Sequence, residues 1–387
     1  MLGDIYFYIW RIENSMKKNI SPLIVISLLS MVLLTIIFSN KQYLTRKFRL
    51  EYIGGLKNDF LNQKEQLLYF FNGKNQIKEV NIKTSLKNYL ILQDERKKML
   101  TNHLKNGTWW LEENIKVNGE IRYDKKDNEK IKLKLFGKFQ DHYRDDDLFS
   151  FRVEYKTKEK NEWGFNFLRP WSRDYNMNFI INSLYQKMFN GPYINYEPVN
   201  LSFNNNFLGL YFAEDFFSKT TLVRNNIQKG SVFTIENDSI NLKYSNNLNF
   251  NYDISSKIEL IKKYDAVNIF SFCLVINNYH PLIDMNLHFL EYNNSVNPLF
   301  REGYIVPIEG NIDVEKKFNE YFKRFNLKYD QEVNNQIYKN IQLFKEKIPE
   351  FLNSKEYLEF KDLMIGSRFE FVKREKLLLS NLKKIKV

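Results

Sequence analysis

Four polar residues with catalytic potential lie close together in this 387-residue chain. They are His280, Asp284, Asn286 and His288, all within the segment INNYHPLIDMNLHFLEY. An imidazole titrates near neutral pH and a carboxylate can accept a proton, so His280 or Asp284 could act as a general base. The amide oxygen of Asn286 could bind a metal ion. The alternative interpretation is that these side chains only satisfy hydrogen bonds within a loop.

A second group of oxygen-bearing side chains follows in the segment GYIVPIEGNID. It contains Glu309, Asn311 and Asp313. Carboxylate and amide oxygens are the protein ligands that Mg²⁺ prefers, so each of these residues could hold that ion.

The elements that must position these residues are predicted strands between Ile131 and Glu214. In 131–136 apolar residues alternate with Lys132 and Lys134, which is the pattern of a half-buried strand. Helical spacing of apolar residues indicates a helix at 176–189. Further strands are predicted at 148–156, 162–169, 192–203 and 207–215, the last two joined by an Asn-rich turn at 204–206.

Local signals elsewhere predict three more features. Asn118-Gly119 lies between strand-like segments and predicts a hairpin turn. Segment 264–279 is apolar nearly all round and predicts a buried helix. Two short strands are predicted in NLHFLEY and GYIVPIE, followed by amphipathic helices from Val314.

The ordered pieces KLKLFGKFQDHYRDDDLFSFRVEYK, GFNFLRP, SRDY and VNLSFNNNFLGLYFAEDFFSK resemble the CotH (spore-coat protein H) kinase family. The resemblance covers about 113–315. It implies an α+β, protein-kinase-like fold with a β-rich N-lobe and a helical C-lobe, behind an N-terminal transmembrane helix. It also implies ATP and Mg²⁺ as cofactors, since phosphoryl transfer depends on positioning and charge neutralisation.

By this resemblance, five residues are expected to lie at the bound nucleotide. Gly137 and Lys138 would lie in the loop over the phosphates, with Lys134 and Arg152 as phosphate-binding cations. Glu214 would hold the nucleotide or pair with a cation across the cleft. The alternative for Gly137 is an ordinary hairpin loop. For Lys134 and Arg152 it is a solvated side chain, and for Glu214 it is a structural ion pair. The sequences Asp141-His142 and Arg169 to Arg173 match further family positions.

The resemblance also assigns roles to residues in the segments INNYHPLIDMNLHFLEY and GYIVPIEGNID. His280 or Asp284 would be the catalytic base, and the metal ligands would come from Asn286, Glu309, Asn311 and Asp313. A kinase catalytic loop has an aspartate five residues before its metal-binding asparagine, whereas this chain has Pro281 there. Phe136 stands where the family has lysine before the loop glycine.

An uncharged apolar segment, 20–38, has nearly the ~20 residues that cross a membrane. We expect an uncleaved anchor, so a single-pass membrane protein, with a buried core helix as the alternative. The bulk of the chain is expected to be extracytoplasmic, partly because the resembling family often carries such anchors. The predicted divisions are 1–40 (tail and anchor), 41–107 (helical stalk or membrane-proximal region) and 108–387 (kinase-fold domain, with lobes at about 108–236 and 254–387).

The net charge of +12 does not by itself indicate a nucleic-acid partner, because the lysines are spread and no binding motif is present. The single cysteine, Cys273, excludes an intrachain disulfide, and its apolar neighbours predict that it is buried and inert. Two functions follow. The first is an atypical kinase that phosphorylates an extracytoplasmic protein or glycan. The alternative is a catalytically degenerate binding or scaffold protein in cell-surface or polysaccharide assembly.

Overall fold

The structure is a computed structural model of the whole chain. The residues that it describes are 30–31, 77–107, 115–124, 126–137, 142, 149–156, 163–169, 172–189, 191–236, 239–283, 286–301, 303–363 and 368–385.

Seven strands form a closed barrel in the order β1-β2-β3-β4-β5-β7-β6. Its strands are β1 (Lys78–Lys83), β2 (Val117–Tyr123), β3 (Glu129–Leu135), β4 (Phe151–Tyr155), β5 (Gly164–Leu168), β6 (Tyr196–Phe203) and β7 (Asn206–Asp215). All neighbouring pairs are antiparallel except β1 and β6, which pair in parallel and close the barrel.

The barrel interior is filled by apolar side chains that come from alternate positions along the strands. In β3, Ile131 and Leu133 are fully buried inside the barrel, whereas Lys132 and Lys134 between and after them point outward. Helix α1 (Leu86–Asn106) packs on β2 and β3. Ser85 caps its first turn by accepting the Asn88 N–H, and the helix ends at Gly107, which adopts a positive φ of 75°.

The rest of the chain builds a second core around a four-stranded sheet, ordered β11-β10-β8-β9. These strands are β8 (Ser231–Glu236), β9 (Ser239–Ser245), β10 (His288–Tyr292) and β11 (Ser295–Leu299). The helices are α2 (Ser172–Phe189), α3 (Lys219–Arg224), α4 (Ile254–Glu259), α5 (Lys263–Ile276), α6 (Val314–Phe322), α7 (Gln331–Leu352), α8 (Lys355–Leu363) and α9 (Arg368–Lys384). Helix α5 is buried on nearly every side and contacts α7 and α9, as its apolar sequence predicted.

The predicted two-lobed, protein-kinase-like fold is wrong. β1, which precedes residue 107, pairs with both β2 and β6 and closes a seven-stranded barrel in place of an open β-rich lobe. The remaining part is not a helical lobe, because it contains a sheet of its own. Strand periodicity reveals which face of a strand is buried but not which strands pair, so the closure was not predictable from the pattern.

The prediction of a single-pass membrane protein, with the membrane as partner and most of the chain extracytoplasmic, is contradicted. In the part of the chain that the structure describes, no helix is both long and apolar enough to cross a bilayer. The predicted anchor, 20–38, lies outside the described residues apart from Ser30 and Met31.

Two local predictions are also wrong. Asn118 and Gly119 lie inside strand β2 and not in a turn. Gly119 lets the two neighbouring strands approach closely, since an added Cβ would lie within 3 Å of the Lys83 carbonyl oxygen and of Leu133 Cδ1. The segment GYIVPIE is not a strand, and β10 pairs with β11 at Ser295–Leu299 instead. The Asn-rich turn is confirmed, since Asn204 and Asn205 adopt the positive φ values that a tight hairpin turn requires.

Candidate functional site

Three of the five residues predicted at the nucleotide, Lys134, Arg152 and Glu214, lie in one row across the outer face of the barrel. The strand registers place Lys134 opposite Arg152, Arg152 opposite Asn166, Asn166 opposite Glu214, and Glu214 opposite Tyr196. Side chains directly opposite each other on one face lie about 4.5–5.5 Å apart at Cβ, close enough to interact. We call these five residues the Glu214 row.

Glu214 is the buried centre of this row, with 1% of its surface exposed. Its Oε1 accepts a hydrogen bond of 2.7 Å from Asn166 Nδ2, and its Oε2 accepts one of 2.5 Å from the Tyr196 hydroxyl. The Asn166 amide bonds to both of its neighbours in the row. Its Nδ2 donates to Glu214, and its Oδ1 accepts a 2.7 Å hydrogen bond from Arg152 Nε. Hydrogen bonding therefore runs continuously from β4 to β6.

A cation from the second core completes the row. Arg301, which follows β11, donates from Nη2 to Glu214 Oε1 at 3.3 Å, and its guanidinium lies 5.2 Å from the Phe217 ring centroid. Phe217 in turn stacks on His288 with ring centroids 3.9 Å apart. Segments 131–214 and 280–313 therefore meet at the contact between Glu214 and Arg301.

The two predicted phosphate cations are already engaged by protein groups. The Arg152 guanidinium lies 4.0 Å from the Phe216 ring centroid and 4.9 Å from that of Phe136. Lys134 Nζ lies 3.7 Å from a carboxylate oxygen of Glu154. Burial, followed by the nearby positive charge of Arg152, lowers the pKa of the Lys134 ammonium.

Gly137, the glycine of the predicted phosphate loop, packs against the ring of His142. Gly137 has a φ of +100°, and a Cβ added to it would lie 2.1 Å from Cδ2 of His142. The His142 ring is buried and meets Phe136 edge-on at 5.6 Å. Gly137 therefore faces an imidazole ring. Lys138 and Asp141 lie outside the described residues.

In the predicted catalytic loop, the backbone N–H groups of His280 and Asn286 bond to residues two or three positions earlier in the chain. The backbone N–H of His280 donates to Asn278 Oδ1 at 2.9 Å, and the His280 ring lies 6.0 Å from that of Tyr304. The backbone N–H of Asn286 donates to the Ile283 carbonyl, and its side chain is half-buried. Asp284 lies outside the described residues.

Three of the four predicted metal ligands, Glu309, Asn311 and Asp313, lie in one segment directly before α6. Glu309 and Asn311 are exposed, and Asp313 caps α6 by accepting the Lys316 N–H at 3.0 Å. Across the described ranges, no three His, Cys, Asp or Glu residues are grouped closely enough to hold an ion. Mg²⁺ binding through this segment stays a prediction drawn from the resemblance.

Sequence reasoning missed three members of this network: Asn166, Tyr196 and Arg301. The first two could have been found by extending the alternation of β3 and β4 through the next strands. No sequence signal points to Arg301, because its contact with Glu214 depends on how the second core docks. Of the two arginines that match family positions, Arg169 is fully buried, and the side chain of Arg173 is not described.

Asp215, next to Glu214, is a second buried carboxylate. It is 2% exposed, neither of its carboxylate oxygens has a hydrogen-bond partner, and Arg224 Nε lies 3.7 Å away. Burial raises the pKa of Asp215 to about 7, and the Arg224 charge only partly opposes this shift.

A scan against protein-family models finds no match for this chain, and a search of curated proteins finds none either. The resemblance to the CotH kinase family therefore stays a prediction from the quoted segments.

Proposed function

We propose that this chain is a non-catalytic binding or scaffold protein. The observation that carries the proposal is the closed network of the Glu214 row. Glu214, the residue that would have to face a nucleotide, accepts hydrogen bonds from Asn166, Tyr196 and Arg301. Its polar neighbours face one another, so the row acts as a structural junction between the barrel and the second core.

The energetics of buried charge support this proposal. A carboxylate that is 1% exposed is stable only while its hydrogen-bond and charge partners remain in place. Removing one partner of a buried ion pair costs about 3–5 kcal/mol. A nucleotide binding at the row would have to displace Arg301 or Arg152 from these contacts and supply an equal compensation.

The atypical-kinase hypothesis, with ATP and Mg²⁺ as cofactors, stays a prediction drawn from the resemblance. It requires a base next to an acidic metal site. Asp313 serves as a helix cap, and the neighbouring Glu309 is an exposed loop residue. The chemistry of the described residues thus favours binding over phosphoryl transfer.

The test is a thermal unfolding experiment on the full chain with and without millimolar Mg-ATP. We expect no rise in Tm, either for the wild type or for Asn286→Ala. A rise in Tm with Mg-ATP that Asn286→Ala or Glu214→Gln abolishes would contradict the proposal. Phosphate incorporation into a co-purified partner, lost in Asp284→Ala, would contradict it as well.

A further inference from the structure

The outer face of β2, β3 and β4 concentrates positive charge. Three side chains from each strand, or from the residue next to it, share this face. We call them the lysine face: Lys116, Asn118, Glu120, Lys130, Lys132, Lys134, Arg152, Glu154 and Lys156. Six of the nine are cations and two are carboxylates, so the face carries a net charge of +4 out of +12 for the chain. Strand pairing thus gathers lysines that are spread along the sequence.

The centre of the lysine face sets like charges next to one another. Lys130 lies beside Lys156, because the Lys156 N–H donates to the Lys130 carbonyl at 3.0 Å and continues the pairing of β3 with β4. Lys132 lies opposite Asn118 on β2, and Lys156 Nζ donates a hydrogen bond to the Oδ1 of the same Asn118. The Lys156 side chain therefore crosses β3 close to Lys132. Like charges on neighbouring strands are destabilising, so this arrangement gains from a counter-charge.

The two carboxylates of the lysine face leave this centre positive. Glu154 is engaged elsewhere, since its Oε2 lies 2.6 Å from Lys116 Nζ and its Oε1 lies 3.7 Å from Lys134 Nζ. Glu120 is an exposed residue of β2 opposite Lys130. Among the residues that the structure describes, no carboxylate lies within ion-pair distance of the Lys130 or Lys132 ammonium.

The electrostatics of two lysines reflect the same imbalance. Desolvation, followed by the positive charges of Lys132 and Lys130, lowers the pKa of the Lys156 ammonium. The pKa of Lys134 is lowered by burial and then by the charge of Arg152. A bound anion would act in the opposite direction on both lysines, because a nearby negative charge favours the protonated form. The lysine face is therefore suited to an anionic ligand.

The layout of the lysine face indicates an extended anion. Alternate residues of a strand lie about 7 Å apart, so the three lysines of β3 span roughly 14 Å of open sheet surface. Repeated charges over this length suit a polymer better than a small ion.

The residue types on the face indicate which polymer. Five of the six cations are lysines, whose ammonium is a point charge, whereas arginine has the planar fork that binds phosphate through two hydrogen bonds. None of the nine side chains is aromatic, whereas proteins that hold single-stranded nucleic acid stack its bases on aromatic side chains. A polymer with separate acidic groups and many hydroxyls fits this set better than a nucleic acid does.

We propose that the lysine face binds an acidic polysaccharide. The acidic groups of the polymer would lie against Lys130, Lys132 and Lys156, and its hydroxyls would accept from the Asn118 amide. This assignment rests on the proposed binding function and names the ligand class that such a protein would take.

The test measures binding of the full-length chain to immobilised polygalacturonate and heparin at low salt, with dextran as the uncharged comparison and single-stranded DNA as the nucleic acid. We expect binding to at least one acidic polysaccharide, none to dextran, and weakening as salt screens the charges. The triple variant Lys130→Gln/Lys132→Gln/Lys156→Gln should weaken binding at least tenfold.

The matched control removes three exposed lysines on and just before α7: Lys328→Gln/Lys339→Gln/Lys345→Gln. It lowers the net charge by the same amount and should change binding less than twofold. A third variant, Lys130→Arg/Lys132→Arg/Lys156→Arg, keeps the charge and should bind within twofold of the wild type. Thermal unfolding of all variants checks folding, and the glutamine variant of the lysine face should have a Tm no lower than the wild type because it removes adjacent like charges.

Three results would each overturn the proposal. They are no binding to either acidic polysaccharide, equal weakening by the two glutamine variants, and tighter binding to single-stranded DNA than to both polysaccharides. The second would show attraction by overall charge alone, and the third would indicate a nucleic-acid partner.

This proposal and the proposed function fail in distinguishable ways. A rise in Tm with Mg-ATP would overturn the non-catalytic function, whereas the polysaccharide test alters none of the residues of the Glu214 row. Absence of polysaccharide binding together with no response to Mg-ATP would leave a non-catalytic protein whose ligand is of another class.

Discussion

Arg301 donates a hydrogen bond to Glu214 across 3.3 Å, joining the segment after β11 to the barrel strand β7. The two residues are 87 positions apart in sequence, and both are largely buried, with side-chain exposures of 14% and 1%. Because Asn166 and Tyr196 bind the same carboxylate, this contact fixes the orientation of the second core on the barrel. Of the predicted site residues, Glu214 therefore makes hydrogen bonds to both cores.

Glu214→Ala is expected to reduce the free energy of unfolding by about 3–5 kcal/mol, because it leaves Arg301 largely buried without its carboxylate. Urea unfolding followed by circular dichroism measures the loss. Adding Arg301→Ala to this variant should cost less than Arg301→Ala costs in the wild type, since the pair is already broken.

The matched control for this prediction is Glu320→Ala, which removes the partner of Lys317 on the surface of α6. Both side chains are more than one third exposed, and such pairs contribute less than about 0.5 kcal/mol. If Glu214→Ala were as mild as Glu320→Ala, the Glu214 row would not be the junction described here.

Asp215→Asn is expected to stabilise the protein at pH 8 by roughly 2–4 kcal/mol and to have little effect at pH 4. Burial raises the pKa of Asp215 in the folded state to about 7 from its usual 3.8. The folded state therefore binds more protons than the unfolded chain between these values, so wild-type stability falls as pH rises through this window.

Urea unfolding at several pH values between 4 and 8 measures this effect. The wild type should lose stability across the window, whereas the Asp215→Asn variant should lose less. Equal pH dependence in the two proteins would show that Asp215 does not titrate in this range. Glu197→Gln tests a neighbouring carboxylate that contributes to the same shift.

Gly137→Ala is expected to destabilise the protein more than Gly310→Ala does. Both glycines have positive φ, +100° and +78°, so each substitution carries a backbone cost of about 1–2 kcal/mol. At Gly310 the added Cβ meets nothing within 4 Å, whereas at Gly137 it would overlap the His142 ring. Urea midpoints of the two variants give the difference, and equal midpoints would argue against the packing of His142 on Gly137.

Cys273 should react with a thiol reagent only when the protein opens. It is fully buried in α5, and burial raises the pKa of its thiol, so little reactive thiolate forms. This confirms the sequence prediction of a buried cysteine. We expect no labelling by iodoacetamide over hours in buffer and complete labelling in urea. Rapid labelling in buffer would contradict the packing of this helix.

The sequence by itself determined the local elements. Alternation in 131–136 gave β3 and its outward lysines, the apolar segment around Cys273 gave a buried helix, and Asn204 to Asn206 gave a tight hairpin turn. These features depend on neighbouring residues, whose spacing reports burial and backbone conformation directly.

Tertiary structure alone decided the barrel closure by β1 and the contact of Arg301 with Glu214. Both join segments far apart in the chain, and periodicity carries no information about which distant segments pair. The same limit explains why the contact between Glu214 and Arg301 was not predicted. A glutamate at position 214 was compatible with a nucleotide site or with an ion pair, and only folding brought Arg301 beside it.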